Sequence, residues 1–459
     1  MHGSKRSSVR PRVVLALLLI LALLATGCGA GQPSPLETAT DAYIYGYPLV
    51  LMYYTRQTSV ATGQAAINHF VNAPTLLGPA YRNVVRPNND TLYSQSFLDL
   101  TSGPMVLHVP DTTGSFYVMQ IMDAWSNTFA DPGTRTTGSS AQDFAIVGPD
   151  WNTPLPPTLK VLASPTNMVW ILGRTQVVAN LPPQGSCAAI DYATVHNIQQ
   201  GYSLTPLGGP PNPGLAPAPA SLTPPQQVAA LSGVEFFQIL STLMRDYPAP
   251  KQDEAALSRF ASIGFVPGAD FRPPASIIDD INAAPAAALA KMNAAWQAVG
   301  QKENGWDVMR SGIGTYGTDY LTRGAVAVGL FAANLPQDAI YAQTYSDQNG
   351  NPLSGASDYV IMLSPVPPVG GFWSVTLYDA DGYFIQNGIC RYAIHSTDQA
   401  ISGQSTVRLL LQQNPPTDPS QMGYWLPTPP GSFNLMLRMY WPLADALGGT
   451  WQPPPVQMQ

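Results

Sequence analysis

The densest polar cluster in the chain is Arg86-Pro87-Asn88-Asn89-Asp90-Thr91-Leu92-Tyr93. Facing a pocket, Asp90 would serve as a general base or as an acceptor for hydroxyl groups. Tyr93 would be an orienting donor, and Asn88 and Asn89 would be ligand-binding amides. Short polar side chains after a proline also brace loops through Asx turns, so a structural role competes with the chemical one. A second cluster, Gly133-Thr134-Arg135-Thr136-Thr137-Gly138, sets one guanidinium among three hydroxyls. Arg135 and Thr136 there would grip a carboxylate or a sugar. The competing reading is a structural ion pair of Arg135 with Asp123 or Asp131. Arg174 and Arg391 are isolated charges in apolar surroundings, where buried, paired roles outrank ligand contact.

Familiar catalytic signatures are missing. The chain has no G-x-S-x-G, no H-E-x-x-H, no C-x-x-C and no P-loop. His69, His108, His196 and His395 lie far apart, and three of them would have to converge to hold zinc. His108, in an apolar strand, reads as a core or face residue. Asp379-Ala380-Asp381-Gly382 begins like a calcium loop but lacks the flanking ligands, so a hairpin turn is expected. No metal and no cofactor are expected. Trp125, Trp373 and Trp425 are of a type that stacks on sugars, although most aromatics belong to cores. The net charge of −7 and pI of about 5.1 argue against a nucleic-acid partner.

These residues need a scaffold, and the first segment of it is an address. Lys5, Arg6, Arg10 and Arg12 precede an apolar run from Val13 to Ala25. That run spans about 20 Å as a helix, short of a bilayer core of ~30 Å, so residues 1–27 read as a signal peptide. The run ends in Leu24-Ala25-Thr26-Gly27-Cys28, which resembles a bacterial lipobox. The resemblance implies cleavage before Cys28, lipidation of its thiol and a short tether over 28–37. Cleavage would delete four basic and no acidic residues, leaving a body that anionic lipid repels. The lipid alone would then hold the protein at the outer face of a bacterial membrane. Cys187 and Cys390 would remain in an oxidising compartment, free to pair or to stay as buried thiols.

Charged residues make up 11% of the 459 residues, with 46 Pro and 39 Gly, which points to a turn-rich, β-rich body. Apolar residues crowd from Thr38 to Thr55 as a helix interrupted near Gly46-Pro48. Short alternating runs follow at 94–100, 105–109, 116–122, 143–147 and 168–172, spaced like the strands of a sandwich. Eight prolines between Leu204 and Pro225 mark a linker. Thr223-Pro-Pro-Gln226 then reads as a helix start with a capping box. Helical patterns follow at 253–263, 276–301 and 318–333. β character returns at 359–363, 372–377, 383–386, 407–411 and 433–439. Residues 106–124 (VLHVPDTTGSFYVMQIMDA) and 361–380 (IMLSPVPPVGGFWSVTLYDA) echo each other, as two ordinary hairpins or as parts of two related sandwiches.

The segments NVVRPNNDTLYSQSFLDLT (83–101), GPMVLHVPD, FYVMQIMDAWSNTFADPGTRTTG and ILGR (171–174) resemble the bacterial family called domain of unknown function 1254. GFWSVTLYDADGYFIQNGICRYAIHS (371–396), WLPTP (425–429) and FNLMLRMYWP (433–442) resemble its companion, domain of unknown function 1214. The resemblance implies an α+β, β-rich chain. An immunoglobulin-like β-sandwich would occupy 38–203, a Pro-rich linker 204–225, a mainly helical segment 226–345 and a jelly-roll-like domain 346–459. It supplies no activity. The expected function is binding of a small organic or carbohydrate-like ligand at the cell envelope, with self-association plausible. The alternative is a hydrolase-like envelope enzyme using Asp90 as general base.

Overall fold

The computed structural model describes Met1, Gly3 and residues 33–82, 86–177, 190–207 and 221–459. His2, residues 4–27, Cys28, Cys187 and most of the Pro-rich linker fall outside the described residues. The described chain is mixed α+β, with several antiparallel sheets and no closed barrel. None of its helices is long and apolar enough to cross a membrane.

The helical layer is built on Pro35–Ala61, whose start is fixed by a capping box between Ser34 and Glu37. It runs unbroken past Gly46 and Pro48, where the sequence predicts an interruption. A proline inside a helix costs about 3 kcal/mol in isolation. Here burial offsets that cost: Leu49, Val50, Leu51 and Met52 pack with residues from the helices Gly233–Asp246 and Ile278–Trp296 in one cluster. Gly46 is required because a Cβ there would strike the Leu240 side chain. The expected start at Thr223 is present, with Gln226 Oε1 accepting from the Thr223 amide at 2.9 Å.

Two sandwiches pack against this layer, the first through Phe97, Met122 and Trp170 and the second through Tyr341 and Met436. The first contains β1 (Val71–Asn72), β2 (Thr91–Asp99), β3 (Met105–Val109), β4 (Tyr117–Asp123), β5 (Thr128–Ala130), β6 (Gln142–Val147), β7 (Lys160–Ala163), β8 (Met168–Gln176) and β9 (Ser203–Pro206). Its sheets run β1-β2-β8-β4-β5 and β7-β6-β3-β9. The second contains β10 (Gln301–Glu303), β11 (Trp306–Met309), β12 (Ala339–Thr344), β13 (Tyr359–Leu363), β14 (Trp373–Asp379), β15 (Ala393–His395), β16 (Val407–Gln412), β17 (Trp425–Pro427), β18 (Phe433–Tyr440) and β19 (Gln457–Met458). Its sheets run β10-β11-β12-β18-β14-β15 and β17-β16-β13-β19. Alternate side chains of each sheet pair meet in one apolar core, such as Leu107, Ile121, Ile146 and Ile171 in the first sandwich.

The second order repeats the first strand for strand, from β11 against β1 to β19 against β9, with β10 as an addition at one edge. The pairing senses agree throughout, including the parallel pairs β6-β7 and β16-β17. Register agrees as well. Tyr93 on β2 and Val118 on β4 flank Arg174 on β8, as Tyr341 on β12 and Ser374 on β14 flank Arg438 on β18. The two echoing segments therefore occupy corresponding places, β3-β4 and β13-β14. Asp123 ends β4 and accepts from the amides of Trp125 and Asn127, as Asp379 ends β14 and accepts from those of Asp381 and Tyr383.

Two further differences from the sequence reading have local causes. The second sandwich begins before residue 346, because β10, β11 and β12 complete its larger sheet. Residues 383–386 form no strand: the Tyr383 amide is taken by Asp379, and Asn387 draws the following turn onto its own side chain.

Candidate functional site

Asp90 stands immediately before β2, and its environment begins with Asn88. The Asn88 Oδ1 accepts from the Asp90 amide at 2.9 Å and the Thr91 amide at 2.8 Å, an Asx turn that fixes the chain entering the strand. The Val177 amide, just past β8, donates to the Asp90 carbonyl at 3.0 Å. With its backbone held from both sides, the Asp90 side chain points into the second sandwich and is fully buried.

There it meets His395, the last residue of β15. His395 Nε2 lies 3.0 Å from Asp90 Oδ1 and 3.1 Å from the Asn89 carbonyl oxygen. On the other side of the ring, Nδ1 lies 3.4 Å from Asp398 Oδ1. Asp398 is oriented by the His395 amide, which donates to its Oδ2 at 3.0 Å. The second Asp90 oxygen accepts from the Tyr440 hydroxyl at 2.8 Å. The result is a buried chain, Tyr440–Asp90–His395–Asp398, drawn from both sandwiches.

Burial alone would disfavour charge on His395, but the carboxylates of Asp398 and Asp90 outweigh it and push the imidazole up to about 10. Burial likewise works against the Asp90 carboxylate. The hydrogen bond and charge of His395, together with Arg438 and Tyr440, overcome this and hold Asp90 below the ordinary range. Burial and then the Asp90 charge push the Tyr440 phenol well above its usual value. At neutral pH this is an imidazolium between two carboxylates, with a neutral tyrosine as terminal donor.

Arg438 adds a second cation. Its Nη2 donates to the Arg86 carbonyl and the Tyr378 hydroxyl, both at 2.9 Å, and its Nη1 to Thr376 Oγ1 at 3.0 Å. Tyr378 in turn donates to the Pro87 carbonyl at 2.6 Å. The loop 86–90 is thus clamped to β14, β15 and β18 by a network with two carboxylates and two cations. His395 and Asp398 also form one wall of a small cleft completed by Asn89, Arg391, Val177 and Ile190.

The other expected site residues fall out as follows. Asn89 donates to the Leu77 carbonyl at 2.8 Å, and the Tyr93 hydroxyl accepts from Asn88 Nδ2. Both residues brace the loop, and the hydrogen bonds to the Asp90 carboxylate come from His395 and Tyr440 instead. Arg135 is not brought to this cluster. It donates to Asp131 at 2.5 Å and to buried Asp338 at 2.8 Å, while Thr136 donates to the Asp131 carbonyl at 2.6 Å. Of the two ion-pair partners named from sequence, Asp131 is therefore the one used. Arg174 donates to Gln120, Asn334 and the Ala332 carbonyl. His108 pairs with Asp143 at 2.7 Å on the surface. Trp125 packs beside Tyr45 and under Arg323, inside the helical interface. Cys390 is disulfide-bonded.

Sequence reasoning did not single out Asp398, Tyr378, Arg438 or Tyr440, and it met His395 only as one of four scattered histidines. The available signal was the run Tyr392-Ala393-Ile394-His395-Ser396-Thr397-Asp398, in which a strand ends on a histidine with an acid three residues on. A histidine and an acid so placed hold each other through the turn that follows the strand.

Residues 67–206 match the family model described as protein of unknown function (DUF1254), and residues 338–444 match that of protein of unknown function (DUF1214). The structure is similar to the VPA0106 protein from Vibrio parahaemolyticus, with a TM-score of 0.70 and 20% identity over 93% of this chain and 100% of that one. It is more distantly similar to an uncharacterised protein from Burkholderia cenocepacia, with a TM-score of 0.43 and 11% identity over 91% of this chain and 87% of that one. No curated protein matches the sequence.

Proposed function

We propose that this chain is an exported, lipid-anchored protein that binds a small organic or carbohydrate-like ligand at the cell envelope, in the cleft beside His395, without turning it over. The observation that carries this reading is the commitment of the buried relay. Both ring nitrogens of His395 and both carboxylate oxygens of Asp90 already have partners, so neither offers a free basic atom to a substrate. Arg135 and Thr136, expected as ligand contacts, are engaged at Asp131 and Asp338 instead. Export through a signal peptide and attachment through Cys28 belong to the same proposal, and the disulfide-bonded state of Cys390 supports an oxidising destination. The finer readings of the sandwiches, immunoglobulin-like for the first and jelly-roll-like for the second, belong to the proposal as well. Two packed sheets in each half support them.

One observation favours the enzyme alternative: a continuous Tyr–Asp–His–Asp chain is also a path along which a proton can move. The test is a thermal-shift panel of sugars, small esters and carboxylates on the purified protein, followed by turnover assays on each stabilising compound. A ligand at 100 times its Kd adds about 2.7 kcal/mol. Binding without product supports the proposal. Product formation that Asp90→Asn abolishes in a folded protein replaces it with the hydrolase-like reading.

A further inference from the structure

Arg391 is the exception to the pairing of charges around the cleft. Its Nη1 donates to the carbonyls of Met422 at 2.6 Å and Trp425 at 2.9 Å, which orients the guanidinium without neutralising it. Among the described residues no carboxylate lies within ion-pair distance of it. Burial lowers its proton affinity, and the charge of Asp398 only partly restores it. The carboxylate of Asp398 is itself answered by His395, and Asp90 by His395 and Arg438. Asp90 and Asp398 are each in direct contact with His395, whereas Arg391, which lines the same cleft, feels Asp398 only at a distance and has no carboxylate of its own among the described residues. Among the described residues, the rest of the lining offers the polar groups of Thr397 and Asn89 beside apolar surface that includes Leu76, Val177, Ile190 and Tyr392.

We infer that the cleft takes a small organic carboxylate, its anionic end on the guanidinium of Arg391 and its hydrocarbon end against Val177 and Ile190. This rests on the ligand-binding reading above and names the class of ligand. An anion there would answer the unpaired charge, and with Nη1 taken by the two carbonyls the Nε and Nη2 edge of the guanidinium is left to offer a carboxylate two parallel N–H donors. A neutral ligand of the same shape would leave the buried cation unanswered, so the cleft should discriminate by charge. The part that the sequence offered to Arg135, a grip on a carboxylate or a sugar, passes for the carboxylate to Arg391.

The test is titration calorimetry on the full-length protein with butyrate, its neutral isostere butyramide, and glucose. Wild type should bind butyrate at least tenfold more tightly than butyramide. Arg391→Gln should weaken butyrate tenfold or more and erase the difference between the two compounds. Arg391→Lys, which keeps the charge and so protects the fold, should fall between. Thr397→Phe, which fills the cleft, should abolish binding of every probe. Equal affinity for butyrate and butyramide, or butyrate binding unchanged in Arg391→Gln and Arg391→Lys, would overturn the inference. Binding of glucose or butyramide that Thr397→Phe removes and Arg391→Gln leaves intact would also overturn it, while sparing the ligand-binding proposal. Silence of all three probes on wild type would overturn the carboxylate assignment, leaving the wider panel to judge the proposal beneath it.

Discussion

The two sandwiches hold each other through two related clusters that differ in one decisive side chain. Asp90 precedes β2, and Asp338 occupies the matching place before β12. The carbonyl of each accepts from the first amide after the sheet's central strand, Val177 for Asp90 and Trp441 for Asp338. Each carboxylate then reaches across to a cation of the other sandwich, which a second aspartate of that sandwich also holds. The triads are Asp90–His395–Asp398 and Asp338–Arg135–Asp131. The arginines of the central strands cross over in the same reciprocal way, Arg174 to the Ala332 carbonyl and Arg438 to the Arg86 carbonyl. One scaffold thus carries a permanently charged arginine at one junction and a titratable histidine, beside a cleft, at the other. The architecture accounts for a cation at each place.

The strongest way to break this comparison is to remove each cation. His395→Ala strands two buried carboxylates, and uncovering a buried charge costs about 3–5 kcal/mol. Arg135→Ala should cost less, because Arg135 and Asp131 keep side-chain exposures of 23% and 19% whereas the matching His395 and Asp398 keep 12% and 9%, the crossing carboxylates Asp338 and Asp90 being buried in both. Chemical denaturation of both variants measures the difference. Equal losses would make the clusters equivalent fasteners and deprive the histidine junction of its special status.

The second test uses pH, and the triads should act in neighbouring windows. The folded value of His395, about 10, lies above its unfolded value of 6.5, so the folded state binds the proton more tightly. That stabilisation is complete below pH 6.5 and is lost as pH climbs toward 10, by at most about 1.4 kcal/mol per pH unit. At the other junction, burial and then the neighbouring Asp338 push the Asp131 carboxyl up to about 7 from 3.8. A raised acid also favours the protonated folded state, so its contribution declines as pH rises from 3.8 to about 7. Denaturation midpoints should therefore fall above pH 6.5 in wild type. In His395→Arg that alkaline decline should flatten while the acidic side keeps its shape. An unaltered alkaline limb in His395→Arg would show that the histidine carries no stored proton affinity.

How far the sequence foretold this arrangement depended on whether the relevant contacts were local. Asn88-Asn89-Asp90 was legible as a special loop because Asx turns act over two or three residues, and Thr223-Pro-Pro-Gln226 was legible as a cap for the same reason. The strands from 105 to 109 and 359 to 363 followed from alternation and flanking turns. The partner of Asp90 was not legible, because His395 lies 305 residues away and only strand order brings it there. The echo of β3-β4 in β13-β14 was visible, but the wider repeat was hidden. It lives in strand order, pairing sense and register, which single-chain periodicity does not carry. The sequence predicts a break at Pro48, where the helix continues, because local propensity says nothing of the helices that pack around it.

The smallest expected effect concerns Thr136, and it sharpens the contrast by asking whether the Arg135 loop does anything beyond fastening. The Thr136 hydroxyl donates to the Asp131 carbonyl at 2.6 Å on an exposed turn. Such a bond competes with water, so Thr136→Ala should cost no more than about 1 kcal/mol. If the loop only orients Asp131 and Arg135 toward Asp338, the variant should leave the affinity for any stabilising compound unchanged. If the hydroxyl instead contacts a ligand, affinity should fall while stability stays level, since the two readings place the same oxygen against different partners. Calorimetric affinity and denaturation midpoint, measured on one preparation, separate them. A loss of affinity at Thr136 with none at Thr397→Phe would move the ligand from the histidine junction to the arginine one.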